Sequence, residues 1–323
     1  MDVVVGYESA LAFWRTVGPS LLGDGKARRN ATLRAQKALA AEGRPRLEGG
    51  NRRPAGCTLP VHVLVGRDAM RVRTKSVASS VCSSLPQRSV VDAGTGFLIC
   101  SPEFVFLQMA ASLTLVQLIQ LGFELCGTYS LAENGPARTR RAPLTAVAKL
   151  KAFVEANQNV PGRVKALRAL RYCMDGSASP METTLVLLLC LPYGLGGYGI
   201  ERPFLNYRID APLGMRKATD RSYCKADLCW PKAKLCVEYD SKEYHLEPER
   251  QESDSRRRNT LVALGFTMMV VSWGQIADSG AFNRLAQQVA RKTGKRLRYK
   301  DPGFTRKHLA LRDELLDPLR PPC

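Results

Sequence analysis

Two short apolar runs in the last third of the chain are interrupted by acidic residues, in the stretch KADLCWPKAKLCVEYDSKEYH at 225–245. Side chains in a strand alternate between faces, so Leu228 and Trp230 are expected on one face and Lys225, Asp227 and Cys229 on the other. In the second run Leu235, Val237 and Tyr239 share a face, and Cys236, Glu238 and Asp240 share its opposite. The segment WPKAK is short enough to join the two runs as a tight hairpin, which would let Asp227, Glu238 and Asp240 converge. Converging carboxylates repel unless a positive charge sits among them. A hard divalent cation, Mg²⁺ or Mn²⁺, suits an all-oxygen donor set; bound there it would polarise a phosphodiester and acidify an attacking water.

Other residues join this set. Glu182 stands three residues after Ser179 and two after Pro180, the spacing of a helix start in which Ser179 caps and Glu182 occupies the first turn. That spacing fits a capping carboxylate as well as a fourth acidic ligand. His245 follows Asp240 by five residues, within reach for a general base, a proton shuttle or a phosphate contact. Asp254 and Arg257 lie three apart in a charged helical stretch and share a face, where Arg257 would hold a phosphate oxygen.

The elements that must position these residues form a compact order. After the turn-rich DGSASP at 175–180 the pattern predicts a helix from SPMETTLVLLLC, strands at FLNYRIDA, YCKADLCW and AKLCVEYD, and a charged helix EPERQESDSRRRNTLVALG. A strand FTMMVVSW and a final helix around AFNRLAQQVARKTG complete it. Helix, three antiparallel strands, helix and strand make an α+β arrangement, with a domain boundary placed between 174 and 175.

Residues 1–174 are expected to form a mixed, mainly helical domain. SALAFWRTVG reads as a helix capped by Ser9 and ended by Gly18 and Pro19, LPVHVLVG as a strand, and GFLIC as a strand running into a helix capped by Ser101 with Pro102 and Glu103 in its first turn. LTAVAKLKAFVEAN and GRVKALRALRYCM read as two more helices, the second with an apolar stripe of Val164, Leu167 and Leu170. Residues 24–54 carry nine basic residues against three acidic ones and few apolar residues. That composition fits a flexible basic arm, or a helix with a tail, able to meet phosphates.

Composition narrows the partners. The 323 residues carry 48 Lys and Arg against 29 Asp and Glu, a net charge of +19. A surplus of that size favours a polyanion, most simply nucleic acid. No apolar run is long enough to cross a bilayer and no basic leader precedes the first apolar residues, so a cytoplasmic protein without membrane contact is expected. The ten cysteines are scattered, several within apolar runs, as in a chain of reduced thiols.

Taken in order, SPMET, ADLCWPKAKLCVEYDSKEYH, DSRRRNTLVALGF and MMVVSW resemble an endonuclease-like domain family of the PD-(D/E)XK superfamily, related to very-short-patch repair endonucleases. The resemblance spans about residues 175–275. It implies a restriction-endonuclease-like fold for 175–323, with Glu182 on the first core helix, Asp227 on the second strand and Glu238 with Asp240 on the third. It matches His245, Asp254 and Arg257 to further polar positions of the family. The implied activity is Mg²⁺- or Mn²⁺-dependent hydrolysis of DNA, with Asp227, Glu238 and Asp240 on the metal and Glu182, His245 and Arg257 completing the catalytic set. Asp240 stands where the superfamily usually has lysine, and Ser241 where related domains commonly have glycine. ESALAFWR, VHVLV and GFLICSPEFVFLQMA resemble the architecture of AbiEi-like antitoxins, which implies a DNA-facing accessory domain and, as an alternative function, a DNA-binding regulator that does not cut.

Overall fold

The computed structural model describes residues 2–45, 47, 53–94, 96–132, 135–211, 222–240, 258–297 and 303–319. The chain divides into two compact units, Met1–Asp175 and Gly176–Cys323, and both are α+β.

The first unit is built on a five-stranded mixed sheet in the order β3-β2-β1-β5-β4. Its strands are β1 (Val3–Val5), β2 (Val61–Val65), β3 (Val77–Val81), β4 (Val90–Asp92) and β5 (Phe97–Cys100). β1 runs parallel to β5 and antiparallel to β2. Every residue of β1 and β5 is buried, which accounts for their unbroken apolar runs: a strand covered on both faces has no need of alternation. Six helices accompany the sheet: α1 (Tyr7–Val17), α2 (Gly25–Ala40), α3 (Pro102–Met109), α4 (Leu115–Cys126), α5 (Val147–Ala156) and α6 (Arg163–Leu170). Helical residues outnumber strand residues here, but the sheet organises the unit.

Four sequence-based expectations change in this unit. Ser9 does not cap α1; the N-cap is Gly6, and Ser9 Oγ instead accepts the His62 N–H at 2.8 Å, tying the helix to β2. The basic stretch 24–54 begins as a packed element: Asp24 caps α2 by accepting from the Lys26 and Ala27 N–H groups, and Ala31, Thr32, Ala35 and Leu39 are buried. Two of its arginines pair inside the unit, Arg28 with Glu103 and Arg34 with Asp2 and Asp92. The apolar run after β5 is two helices, because Thr114 opens a new one with a capping box to Gln117. Finally, α6 buries Ala166, Ala169 and Leu170, while Val164 is 80% exposed. Small alanines let α6 approach α4 closely; a Cβ at Gly122 of α4 would come within 2.4 Å of Cys173 Sγ, just beyond α6.

The second unit carries a four-stranded sheet in the order β6-β7-β8-β9: β6 (Phe204–Asp210), β7 (Tyr223–Trp230), β8 (Leu235–Asp240) and β9 (Thr267–Ser272). The first three strands are antiparallel, and β9 joins β8 in parallel. A parallel neighbour requires a crossover, and residues 258–263 at its end are helical. Helices α7 (Pro180–Cys190), α8 (Trp273–Ala277), α9 (Ser279–Lys292) and α10 (Phe304–Leu316) complete the unit. The hairpin between β7 and β8 turns through a 3-10 element, Pro231–Ala233, and closes with Lys234 at φ 49°. None of the nine described cysteines is in a disulfide. No helix among the described residues is long and apolar enough to cross a membrane.

Candidate acidic site

The site is set by one irregularity between two strands. β6 and β7 pair through Phe204–Cys229 and Leu205–Leu228, then again from Tyr207–Ala226 onward, skipping the position where Asn206 faces Asp227. Asn206 sits at φ 46°, the left-handed region that asparagine tolerates better than most residues. On the other side, β7 pairs with β8 only through Leu228–Val237, Cys229–Cys236 and Trp230–Leu235, so the ladder stops one residue short of Asp227. The broken ladder also changes the side-chain pattern. Cys224 and Ala226 pack in one cluster with Cys229 and Cys236, whereas strict alternation would divide them between faces.

Asp227 uses its side chain where the ladder is missing: Tyr239 donates its N–H to Asp227 Oδ2 at 3.0 Å. Glu182 approaches from α7. Ser179 Oγ accepts the Glu182 N–H at 3.1 Å, as the cap spacing predicts. The carboxylate does not close a capping box on Ser179 but reaches one residue further back, accepting the Ala178 N–H at 2.8 Å. The same oxygen, Oε2, accepts from Asn206 Nδ2 at 2.7 Å, and that amide also donates to the Gly176 carbonyl at 3.0 Å. Glu182 is 5% exposed. Burial and the neighbouring Asp227 charge raise its pKa to about 7, against the pull of the Ala178, Asn206 and Ser179 hydrogen bonds.

Glu238 is buried at 4% exposure and Asp240 is half-buried, both on β8. Among the described residues no group of three or more His, Cys, Asp or Glu side chains is placed to hold a metal ion. Asp227 Oδ2 accepts the Tyr239 N–H, and the Asp227 charge acts on Glu182 of α7. His245, Asp254 and Arg257 lie outside the described residues. Asn206 went unnoticed in the sequence; a polar residue that tolerates positive φ in the middle of the strand pattern FLNYRID was the available signal.

The chemistry of this donor set still suits a hard cation. A buried carboxyl group whose pKa is raised further by a neighbouring carboxylate is relieved by a divalent charge, and Mg²⁺ is commonly held by one or two carboxylates with water filling its other positions.

Comparisons with known proteins add no name: no protein-family model matches the chain, no curated protein matches it, and no solved structure matches it.

Proposed function

We propose that the second unit is a metal-dependent phosphodiesterase acting on DNA. The observation that carries this reading is the buried Glu182 carboxyl group on α7, whose pKa is raised to about 7 by burial and by the charge of Asp227 on β7. Mg²⁺ or Mn²⁺ would be held by these two, and when bound supplies charge neutralisation and an acidified water. The protein's own contribution is positional. Asn206 fixes Glu182, the Tyr239 N–H fixes Asp227, and Asp240 stands at the end of β8, where the superfamily resembled by the sequence usually has lysine. The net charge of +19 supports a polyanionic substrate.

A second reading, DNA binding without cleavage, draws on the hydrogen bond that engages Asp227 Oδ2. One experiment separates them. Supercoiled plasmid, mismatched duplex and single-stranded DNA are incubated with the full chain and Mg²⁺ or Mn²⁺, beside Glu182→Ala and Asp227→Ala. Metal-dependent nicking lost in both variants supports the phosphodiesterase. Salt-sensitive binding without nicking on any substrate moves the conclusion to the regulator.

A further inference from the structure

A separate group of side chains lies in the first unit, where α1 meets β2 and β3. His62 Nδ1 is 3.0 Å from Glu8 Oε2, and His62 Nε2 is 2.9 Å from Ser80 Oγ. The tautomer that satisfies all three has Nδ1–H donating to the carboxylate and Nε2 accepting from the serine hydroxyl. That is the order of nucleophile, base and base-orienting carboxylate used in acyl transfer on unrelated folds.

The surroundings hold this order in place. The His62 backbone is pinned by its N–H bond to Ser9 Oγ at 2.8 Å. Its ring is stacked on Tyr7, with centroids 4.4 Å apart and planes 13° from parallel. Tyr7 itself sits at φ 51°, a conformation strained for an aromatic residue, and its N–H donates to Gln108 Oε1 at 3.0 Å. Glu8 is 61% exposed, and an ion pair so open to water adds little to folding. Backbone strain is therefore being maintained for an arrangement of small value as a brace. Beside Glu8 and His62 opens a cleft of about 210 Å³, walled by Ser9, Ala12, Thr58, Pro60 and Ala78.

We propose that Ser80, His62 and Glu8 form a nucleophilic site for small carboxylic esters, distinct from the acidic site of the second unit. Ser80 Oγ bonds to the acyl carbon while its proton passes to His62 Nε2. The ester C–O bond breaks and the departing alcohol takes that proton. Water then adds to the acyl carbon, giving a proton to His62 and releasing the carboxylic acid as Ser80 recovers its hydrogen. Glu8 is a positioning residue that keeps the imidazole in the required tautomer, and the small volume of the neighbouring cleft limits the acyl group to a few carbons.

The test is labelling of the full chain, shown to melt cooperatively, with diisopropyl fluorophosphate, read by peptide mass spectrometry and by release of p-nitrophenol from p-nitrophenyl acetate. The proposal expects a single diisopropylphosphoryl adduct on Ser80, and ester turnover that disappears in Ser80→Ala. It also expects labelling slowed at least about a hundredfold in His62→Asn. Exposed Glu8 supplies a variant outside the core: Glu8→Ala slows labelling, and Glu8→Asp, which keeps a carboxylate, recovers part of the rate. No adduct on Ser80 in the unaltered protein overturns the proposal, as does labelling at an unchanged rate in both His62→Asn and Glu8→Ala.

Discussion

Asn206 Nδ2 donates to Glu182 Oε2 at 2.7 Å, joining the irregular point of β6 to the first turn of α7 beside Asp227. This bond holds a carboxyl group whose pKa is raised to about 7 by burial and by Asp227. Because the folded state keeps a proton that the unfolded chain gives up near the ordinary carboxylate value, Glu182 favours folding fully below that value. The contribution is lost as pH rises toward 7. Glu182→Gln, uncharged at every pH, is expected to gain on the unaltered protein from pH 5 to pH 8 by roughly 3 kcal/mol at most. Thermal melts of both proteins across that range measure the gain. A difference independent of pH would mean that Glu182 ionises freely in the folded state.

The backbone of Asn206 yields a second prediction. At φ 46° a side chain with a Cβ is strained unless something holds it, and here the amide is held by Glu182 and the Gly176 carbonyl. Asn206→Ala keeps the strain and loses both bonds, for an expected cost of roughly 2 kcal/mol. Asn206→Gly loses the same bonds but relieves the strain, so it is expected to be the more stable of the two. Chemical denaturation of the pair decides this. Equal stabilities would show that the left-handed backbone carries no cost.

How far the sequence could be read follows from which forces act locally. Strands β6 to β9 and helix α7 are legible because each has its own apolar run and its own turn or cap, as with Ser179 and Pro180 before Glu182. β1, β3 and β4 are not. VVV and VVD are three residues each, and VASSV gains its place only by pairing with β2, so their identity as strands is set by neighbours distant in the chain. Glu182 and Asp227 could be named from residue type and spacing. The bond by which Asn206 holds Glu182 could not, because it depends on one left-handed residue interrupting a ladder. Neither the strand period nor the hairpin length encodes that interruption. The stretch 24–54 misleads for the converse reason: its charge suggests an arm, yet the partners of Arg28 and Arg34 lie some 30 to 75 residues away.

Those partners make the packing of α2 testable. Arg28 donates to Glu103 Oε2 at 2.6 Å, and Thr145 Oγ1 donates to Glu103 Oε1 at 2.7 Å. Burial would push the Glu103 carboxyl up, but Arg28 and Thr145 together hold it below the usual carboxylate range. Arg28→Met leaves a buried carboxylate without its cation, at an expected cost of roughly 3 kcal/mol near pH 7. The group's folded pKa is depressed, so its stabilisation exists above the ordinary carboxylate value and fades as pH falls through the depressed one. The penalty of Arg28→Met should accordingly shrink in acid. Urea titrations at pH 7 and pH 4 measure it; a variant as stable as the unaltered protein at pH 7 would return α2 to the status of a loose arm.

Two glycines at opposite ends of α2 probe the same packing from the backbone side. Gly66 follows β2, and a Cβ built there would lie 2.2 Å from the carbonyl oxygen of Leu39 and 2.9 Å from its carbon. The obstacle is main chain in the last turn of the helix, so Gly66→Ala must push α2 away from the sheet. The expected cost is roughly 1–3 kcal/mol, the range of other overpacked sites. Gly25, the first residue of α2, meets only the Arg88 guanidinium, at 3.6 Å and beyond. Alanine there keeps ordinary contacts and restricts the unfolded chain, so Gly25→Ala is expected to be neutral or to stabilise by up to about 1 kcal/mol. Denaturation midpoints that move in opposite directions for the two substitutions would show that close backbone contact, and not helix propensity, fixes α2 against β2. If Gly66→Ala left the midpoint unchanged or raised it, the close approach at Leu39 would not exist in solution.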